Sequence, residues 1–350
     1  MSRSTAPTLL LVTPYLASAN NGNWRTAARW ARALASTYRI IVQAATDPVI
    51  GGRRDDAAAM IALHARRSAA AIAAWHDVRA ERALLVTLTG TDLYRDLPAG
   101  NAATLASVAI ADRLIVLQRD AVRHLPQCYR EKTSVVFQSA RALVPRTDKD
   151  QKRLHCVLVA HLREEKDPRT ALAAWGYLPP DLKANLTVIG TALDPALERA
   201  TREAVAADPR MRWIGPQTHA ATRQAIKRAH LLLVPSRMEG GANVVVEAVT
   251  AGTPVLASRI SGNLGMLGAA YPGYFGVGDA PALARLLTRA AREPGFLRQL
   301  ATQCQRRAKL FTPAAEANSL RAAINAALNA GGTRMSIERP TWWTLPSEPQ

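Results

Sequence analysis

Residues 231–262 read LLLVPSRMEGGANVVVEAVTAGTPVLASRISG. The apolar run 231–234 is strand-sized and stops at Pro235-Ser236. A loop with Glu239, Gly240, Gly241, Ala242 and Asn243 follows, and then a helix that contains Glu247. Gly252 and Pro254 end that helix and a new strand begins. Glycines let backbone N–H groups approach a ligand, and a helix start favours an anion. Asn243 is the expected N-cap. Glu247 lies about one helical turn further in, where a carboxylate can accept two hydrogen bonds from a vicinal diol such as a ribose presents. Glu239, in the loop, is suited to accept from sugar hydroxyls.

The same alternation runs through the chain. Strand-sized apolar runs stand at 8–12, 39–42, 60–63, 84–88, 114–117 and 134–137. After a polar stretch the series restarts at 154–159, 186–189, 212–214, 231–234, 255–257 and 274–276. Helical patterns lie between most of them, among them 24–34, 195–207, 220–229 and 280–291, and a last helix is read over 314–330. Ala27, Ala28, Ala31 and Leu34 are expected on one side of the helix over 24–34. Strands alternating with helices make a parallel sheet wound on both faces, and two series make two such domains. The expected division is 1–146, 147–312, and a C-terminal helix and tail over 313–350 that returns to the first domain. Ligands of such sheets bind at the carboxyl ends of the strands, so the expected site is the cleft between the domains.

Composition narrows the class. At 350 residues, 48% apolar and 21% charged, the chain is globular rather than disordered or fibrous. The longest apolar runs are far short of the ~18 residues a membrane span needs. The run 9–12 between Arg3 and Ala17-Ser18-Ala19 mimics a signal peptide, but it is too short and Pro14 follows, so it reads as a first strand. Cys128, Cys156 and Cys304 are scattered and odd in number, which fits neither a disulfide framework nor a zinc ribbon and suggests a reducing, cytoplasmic setting. Forty-five basic residues against 27 acidic ones give a net charge of +18, which suits anionic partners or reflects an alanine- and arginine-rich composition. Nucleic acid is disfavoured: aromatics are only 5% and no basic block of five appears. There is no GxGxxG after the first strand, no GxxxxGK[ST] and no HExxH. The one D-x-D, Asp148-Lys149-Asp150, sits in the polar linker, so no metal and no cofactor is expected.

At this point the sequence resembles the family-4 glycosyltransferases, which have the GT-B fold of two Rossmann-like domains facing a cleft. Their E-x7-E motif matches Pro235-Ser236, Glu239, Glu247-Ala248, Gly252 and Pro254-Val255. The segment Val159-Ala160-His161-Leu162-Arg163-Glu164-Glu165-Lys166-Asp167 is similar to the loop in which that family holds the leaving diphosphate, which implies Arg163 and Lys166 for that role. The resemblance implies donor contacts at Arg163, Lys166, Glu239, Gly240, Gly241, Ala242, Asn243 and Glu247, and places His64 near the donor sugar. The loop begins Ala-His rather than Gly-Arg, a departure that leaves the anion contacts open.

The first half carries Ser18-Ala19-Asn20-Asn21-Gly22-Asn23-Trp24-Arg25, then Leu63-His64-Ala65-Arg66-Arg67-Ser68-Ala69, then Thr89-Gly90-Thr91-Asp92. In combination these look like the selenosugar synthases of selenoneine biosynthesis. That resemblance implies transfer of the sugar of UDP-N-acetylglucosamine or UDP-glucose to selenophosphate, with a carbon–selenium bond formed and UDP released. It also implies functional coupling to a selenophosphate-producing enzyme. A small multiply charged acceptor needs arginines and backbone donors, for which Asn20, Asn21, Gly22, Asn23, Arg25, Arg66, Arg67, Thr89 and Asp92 are the candidates. Selenophosphate is already a nucleophile, so no strong base is required, in keeping with few acidic residues at the first-half loops beyond Asp92. Retention of configuration follows from the superfamily alone. The competing readings are a family-4 enzyme with a lipid or another small acceptor, a sugar-nucleotide epimerase of the same fold, and a basic nucleic-acid-binding protein.

Overall fold

The computed structural model describes residues 6–16, 22–150 and 152–331. Its contacts divide the chain into two units. The first takes the residues up to Val116, then Val122–Val136 and those from Ala317 on; the second takes Leu117–Ala121 and Phe137–Glu316.

The first unit is a six-stranded parallel sheet. Its strands are β1 (Thr8–Thr13), β2 (Arg39–Ala44), β3 (Ala57–Leu63), β4 (Ala83–Leu88), β5 (Arg113–Val116) and β6 (Thr133–Val135), in the order β2-β1-β3-β4-β5-β6. β1 and β4 are buried along their whole length, as strands covered on both faces must be. Helices α1 (Gly22–Leu34), α2 (Ala69–Val78), α3 (Ala102–Ile110) and the single turn α4 (Gln127–Arg130) link them. α1 buries Thr26, Ala27, Trp30 and Leu34. Trp30 replaces the expected Ala28 and Ala31 because it lies on the i, i+4 stripe that ends at Leu34. Chain order reverses between β1 and β3, which makes their carboxyl ends the ligand-binding edge of this sheet.

The second unit repeats the plan. Strands β7 (Leu154–Val159), β8 (Ala184–Ile189), β9 (Met211–Trp213), β10 (Leu231–Val234), β11 (Val255–Ser258) and β12 (Tyr274–Phe275) pair in parallel in the order β12-β11-β10-β7-β8-β9. Its helices are α5 (Pro168–Gly176), α6 (Pro195–Ala207), α7 (His219–Arg228), α8 (Asn243–Thr250), α9 (Ser261–Leu267), α10 (Ala280–Arg292) and α11 (Pro294–Ala308). Here the order reverses between β7 and β10, so the loops after those two strands stand side by side. Helix α12 (Pro313–Gly331) follows, and beyond Glu316 it belongs to the first unit, where Arg321 Nη2 donates to the Ala33 carbonyl. Trp342 and Trp343 lie outside the described residues.

The boundary expected at 146/147 sits earlier, after Val136. Phe137 packs edge-on against Phe311, Ala140 N–H donates to the Phe311 carbonyl, and Leu143 N–H donates to the Thr250 carbonyl. The stretch 137–143 is thus bound to the second unit, and from the polar linker that follows it Lys149 Nζ donates to the Ala229 carbonyl. Leu117 and Phe137 were both read as strand residues; each is buried in the second unit, so the apolar run outlasts the strand. Among the described residues no helix is long and apolar enough to cross a membrane.

At the amino-terminal end of β7 and β10, His155 N–H donates to His230 Nδ1 at 2.9 Å, and the two rings stack 5.5 Å apart. Burial, with Lys149 and His155 adding to it, pushes the His230 imidazole down to about 4 from an ordinary 6.5. The unfolded chain therefore binds a proton that the fold refuses between pH 6.5 and 4, and stability must fall as pH falls through that window. His230→Asn keeps an acceptor for His155 N–H but cannot titrate. Urea unfolding at pH 7 and pH 4.5 should show a smaller acid-induced loss in this variant than in the native chain.

Candidate active site

The loop after β10 and the loop after β7 form one structure in the second unit. Lys166 ends a single 3-10 turn, Glu164–Lys166, and Asp167 turns the chain into α5 with a left-handed φ of 44°. Asp167 is buried, accepts the Thr170 hydroxyl at 2.8 Å and pairs with Arg237 at 3.4 Å. Arg237 N–H also donates to the Glu165 carbonyl at 2.9 Å, so the two loops are stitched by backbone as well as side chain.

Glu239 is the centre of this arrangement. It is 6% exposed, and its Oε1 accepts from Lys166 Nζ and from the Ser236 hydroxyl, both at 2.7 Å. A carboxylate this deep needs such partners, since an unpaired buried charge is costly. Ser236 is itself anchored, because the Ser258 hydroxyl donates to its carbonyl. Oε2 of Glu239 has no partner among the described residues and is the atom left for a ligand. Two glycines make the geometry possible. A Cβ on Gly262 would stand 2.1 Å from the Glu239 carbonyl oxygen, and one on Gly241 would stand 2.6 Å from Leu117 Cβ.

Ala242, with extended φ and ψ, is the N-cap of α8, and it caps without a side chain. The expectation of Asn243 in that role is corrected: Asn243 is the first helical residue, because the glycine loop holds the chain extended through Ala242. Glu247, one turn in and 7% exposed, accepts from His219 Nε2 at 2.8 Å. Arg223, one turn beyond His219 on α7, donates to the Arg141 carbonyl at 2.7 Å. Burial holds the Arg223 guanidinium below its ordinary range, against the opposing pull of Glu247. His219 and Arg223 were not found by sequence reading, since they stand 28 and 24 residues from Glu247 and only the fold brings them there. Arg163 is not drawn into the cluster; it is half exposed and reaches Glu165 loosely at 3.8 Å. A shallow cleft lined by Thr191, Ala192, Trp213, Gly215 and Pro216 lies at the ends of β8 and β9 on the same edge.

The first unit has its own cluster at the carboxyl ends of β3 and β4. His64 follows β3 with φ +71°, rare for any residue but glycine. It is buried, and Nδ1 lies 2.7 Å from Asp92 Oδ1. Asp92 is fully buried and opens a π-turn over Asp92–Asp96, a form that often marks functional sites. Arg66 N–H donates to Asp92 Oδ1 at 3.1 Å, and Thr89 N–H donates to Oδ2 at 2.8 Å. The Arg66 side chain reaches Asp96, which is also held by Arg95, while Arg67 stacks over Tyr15 at 5.2 Å. His64, Arg66, Thr89 and Asp92 are thus brought together. Gly22, Asn23 and Arg25 lie on the first turn of α1, and Asn20 and Asn21 fall outside the described residues. Asp96, Arg95 and Tyr15 were missed; only the i, i+4 spacing of Asp92 and Asp96 hinted at them. Among the described residues no group of three or more metal-ligating side chains stands together.

Residues 139–311 match the family of glycosyl transferases group 1. That segment is about half of the chain and covers nearly all of the second unit's main run. Among solved structures, sucrose-phosphate synthase from Thermosynechococcus elongatus is similar at a TM-score of 0.74 and 17% identity, over 92% of this chain and 99% of that one. HepE of Anabaena, solved in complex with UDP, is similar at 0.73 and 14%, over 91% and 99%. A lipopolysaccharide outer core galactosyltransferase, WaaB, is similar at 0.67 and 14%, over 91% and 99%. At these identities the likeness speaks for the fold, which is GT-B. The chain is a glycosyltransferase. The edge of β7 and β10, with the buried Glu239 as its fixed point, is the candidate site of the second unit.

The close approach at Gly262 can be tested by stability. Gly262→Ala should destabilise the enzyme by about 1–3 kcal/mol, because the Glu239 backbone must move. Gly295→Ala, where a Cβ meets only the tip of Arg298 at 3.9 Å near the start of α11, should be neutral or stabilising. Equal losses in urea unfolding would remove the claim that Glu239 is held by contact with Gly262.

Proposed function

We propose that the enzyme binds a UDP-sugar at the carboxyl edge of β7 and β10 and transfers the sugar to a small anionic acceptor, selenophosphate. The observation that carries the donor side is the pairing of Lys166 with Glu239 at 2.7 Å across two neighbouring loops. Lys166 has three N–H donors and spends one on Glu239, so the others are free for the leaving diphosphate, with the half-exposed Arg163 beside it in sequence. Glu239 offers Oε2 to sugar hydroxyls. Glu247, held by His219 through one oxygen, offers the other to the ribose diol. The UDP bound by HepE of Anabaena supports the choice of nucleotide.

The C1–O bond to the diphosphate breaks and the diphosphate leaves with the electron pair. The negative charge that grows there is met by the Lys166 ammonium, fixed in advance by Glu239, which is where such a site gains most. The nucleophile supplies the pair for the new bond to C1, and the protein contributes position. We read the transfer as retaining and independent of metal. The acceptor assignment rests on the resemblance of 18–25, 63–69 and 89–92 to the selenosugar synthases. Arg67 supports it, since its guanidinium faces a Tyr15 ring and no carboxylate among the described residues.

Mass spectrometry of reactions with UDP-N-acetylglucosamine or UDP-glucose, with and without selenophosphate, tests the reading. UDP release together with a selenium isotope pattern in a new sugar product supports it. UDP release that needs another acceptor, with no selenium in any sugar, removes the acceptor and leaves the donor site. Glu247→Ala should weaken UDP binding by about 1–3 kcal/mol, the cost of ribose hydroxyls left unpaired, as read by calorimetry. Unchanged affinity would remove the role given to Glu247.

A further inference from the structure

The carboxyl edge of the first unit carries an excess of fixed positive charge. Arg66 and Arg67 follow β3, and Arg95 stands on the π-turn that follows β4, so all three lie beyond the ends of two adjacent strands. The carboxylates beside them are Asp92 and Asp96, which sets three guanidinium charges against two. Arginine keeps its charge at any working pH, so these cations are permanent.

The two carboxylates have different duties. Asp92 is spent inward, on His64, on the Arg66 N–H and on Thr89. Asp96, one turn further and 3% exposed, meets side chains that reach outward. Its Oδ1 lies 2.9 Å from Arg95 Nε and 3.4 Å from Arg66 Nη1, while Oδ2 has no hydrogen-bond partner among the described residues. A buried carboxylate must be compensated, and here two guanidinium groups do so at a single oxygen. Two arginines from different loops are thereby made neighbours. Their side chains are 47% and 48% exposed, so each is tethered at one nitrogen while much of it stays open to a ligand. Arg67 adds the third charge. It lies 5.2 Å over the Tyr15 ring, a contact that takes none of its N–H groups. Tyr15 follows β1, so this cation stands where the strand order reverses and where such a sheet takes its ligands.

We propose that Arg66 and Arg95, tethered to Asp96, form a clamp for a small tetrahedral oxyanion, with Arg67 as a third cation toward β1. Guanidinium forks suit the paired oxygens of such an anion, and arginines ordered in advance lose less freedom on binding it. Asp96 is a positioning residue: it touches the arginines and not the ligand. Calling the bound anion the acceptor rests on the function proposed above; the binding itself does not. An uncharged acceptor has no use for such a clamp.

Calorimetric titration of the full chain with inorganic phosphate, with UDP present to fill the second unit's site, tests the clamp. The native chain should bind phosphate saturably, and Arg66→Gln and Arg95→Gln should each weaken binding about tenfold. Asp96→Asn separates a clamp from mere charge. It makes the edge more positive by one, so attraction by charge alone gives tighter binding, whereas loss of the tether gives binding about tenfold weaker. Should Asp96→Asn fail to fold, the double variant of the two half-exposed arginines decides alone. Tighter binding in Asp96→Asn overturns the clamp, as does unchanged affinity in the double variant or no saturable binding by the native chain. Binding of phosphatidate vesicles by a chain that ignores free phosphate also overturns it, in favour of a lipid headgroup. UDP affinity, measured in the same variants without phosphate, should stay at the native value. A native chain that binds phosphate but no UDP would remove the donor reading and leave the clamp.

Discussion

A carboxylate at 6% exposure has to be compensated, and at Glu239 the compensation comes from a different loop than its own. Lys166 can reach it only because β7 and β10 are adjacent in the sheet although 71 residues of chain lie between their ends. That adjacency is the reversal of chain order in a doubly wound sheet. The rest follows from it: Arg237 can bind Asp167 and the Glu165 carbonyl, and Gly262 has to be bare so that β11 and α9 can pass beneath Glu239. The fold creates the pair, and the pair fixes the geometry of two loops that would otherwise be independent.

The first unit meets the same constraint differently. Its order reverses between β1 and β3, and the buried carboxylate at its edge, Asp92, is compensated by a histidine and two backbone N–H groups rather than by lysine. A lysine with spare donors can hold a mobile anionic group in addition to its partner. A histidine with both nitrogens engaged cannot. One edge therefore keeps spare donors at its buried carboxylate, and the other presents a fixed, closed network around Asp92.

Much of this was legible in the residues. The strands at 154–159 and 231–234 and the helix at 195–207 coincide with β7, β10 and α6, because long apolar runs end at unambiguous punctuation. Asp194 before Pro195 is such a mark: its side chain accepts from Ala196 and Leu197. Where apolarity continued past the strand, at Leu117 and Phe137, the reading ran on, because hydrophobicity reports burial and not which core does the burying. The loop and helix start of the E-x7-E segment were legible from its glycines and punctuation, whereas Lys166 was singled out only through the family resemblance.

His64 with Asp92, and Glu247 with His219, were legible only as separate residues. Each pairing spans 28 residues and depends on strand register, which a single sequence does not state. Asp92 shows why this matters. In sequence it is a polar residue on a loop, available to an acceptor. In the fold it is fully buried, and both of its oxygens are taken. It cannot touch a substrate, and its influence must pass through His64 and the two threonines. The distinction between a residue that binds and a residue that holds the binder is a matter of burial, and burial is settled by the sheet around it.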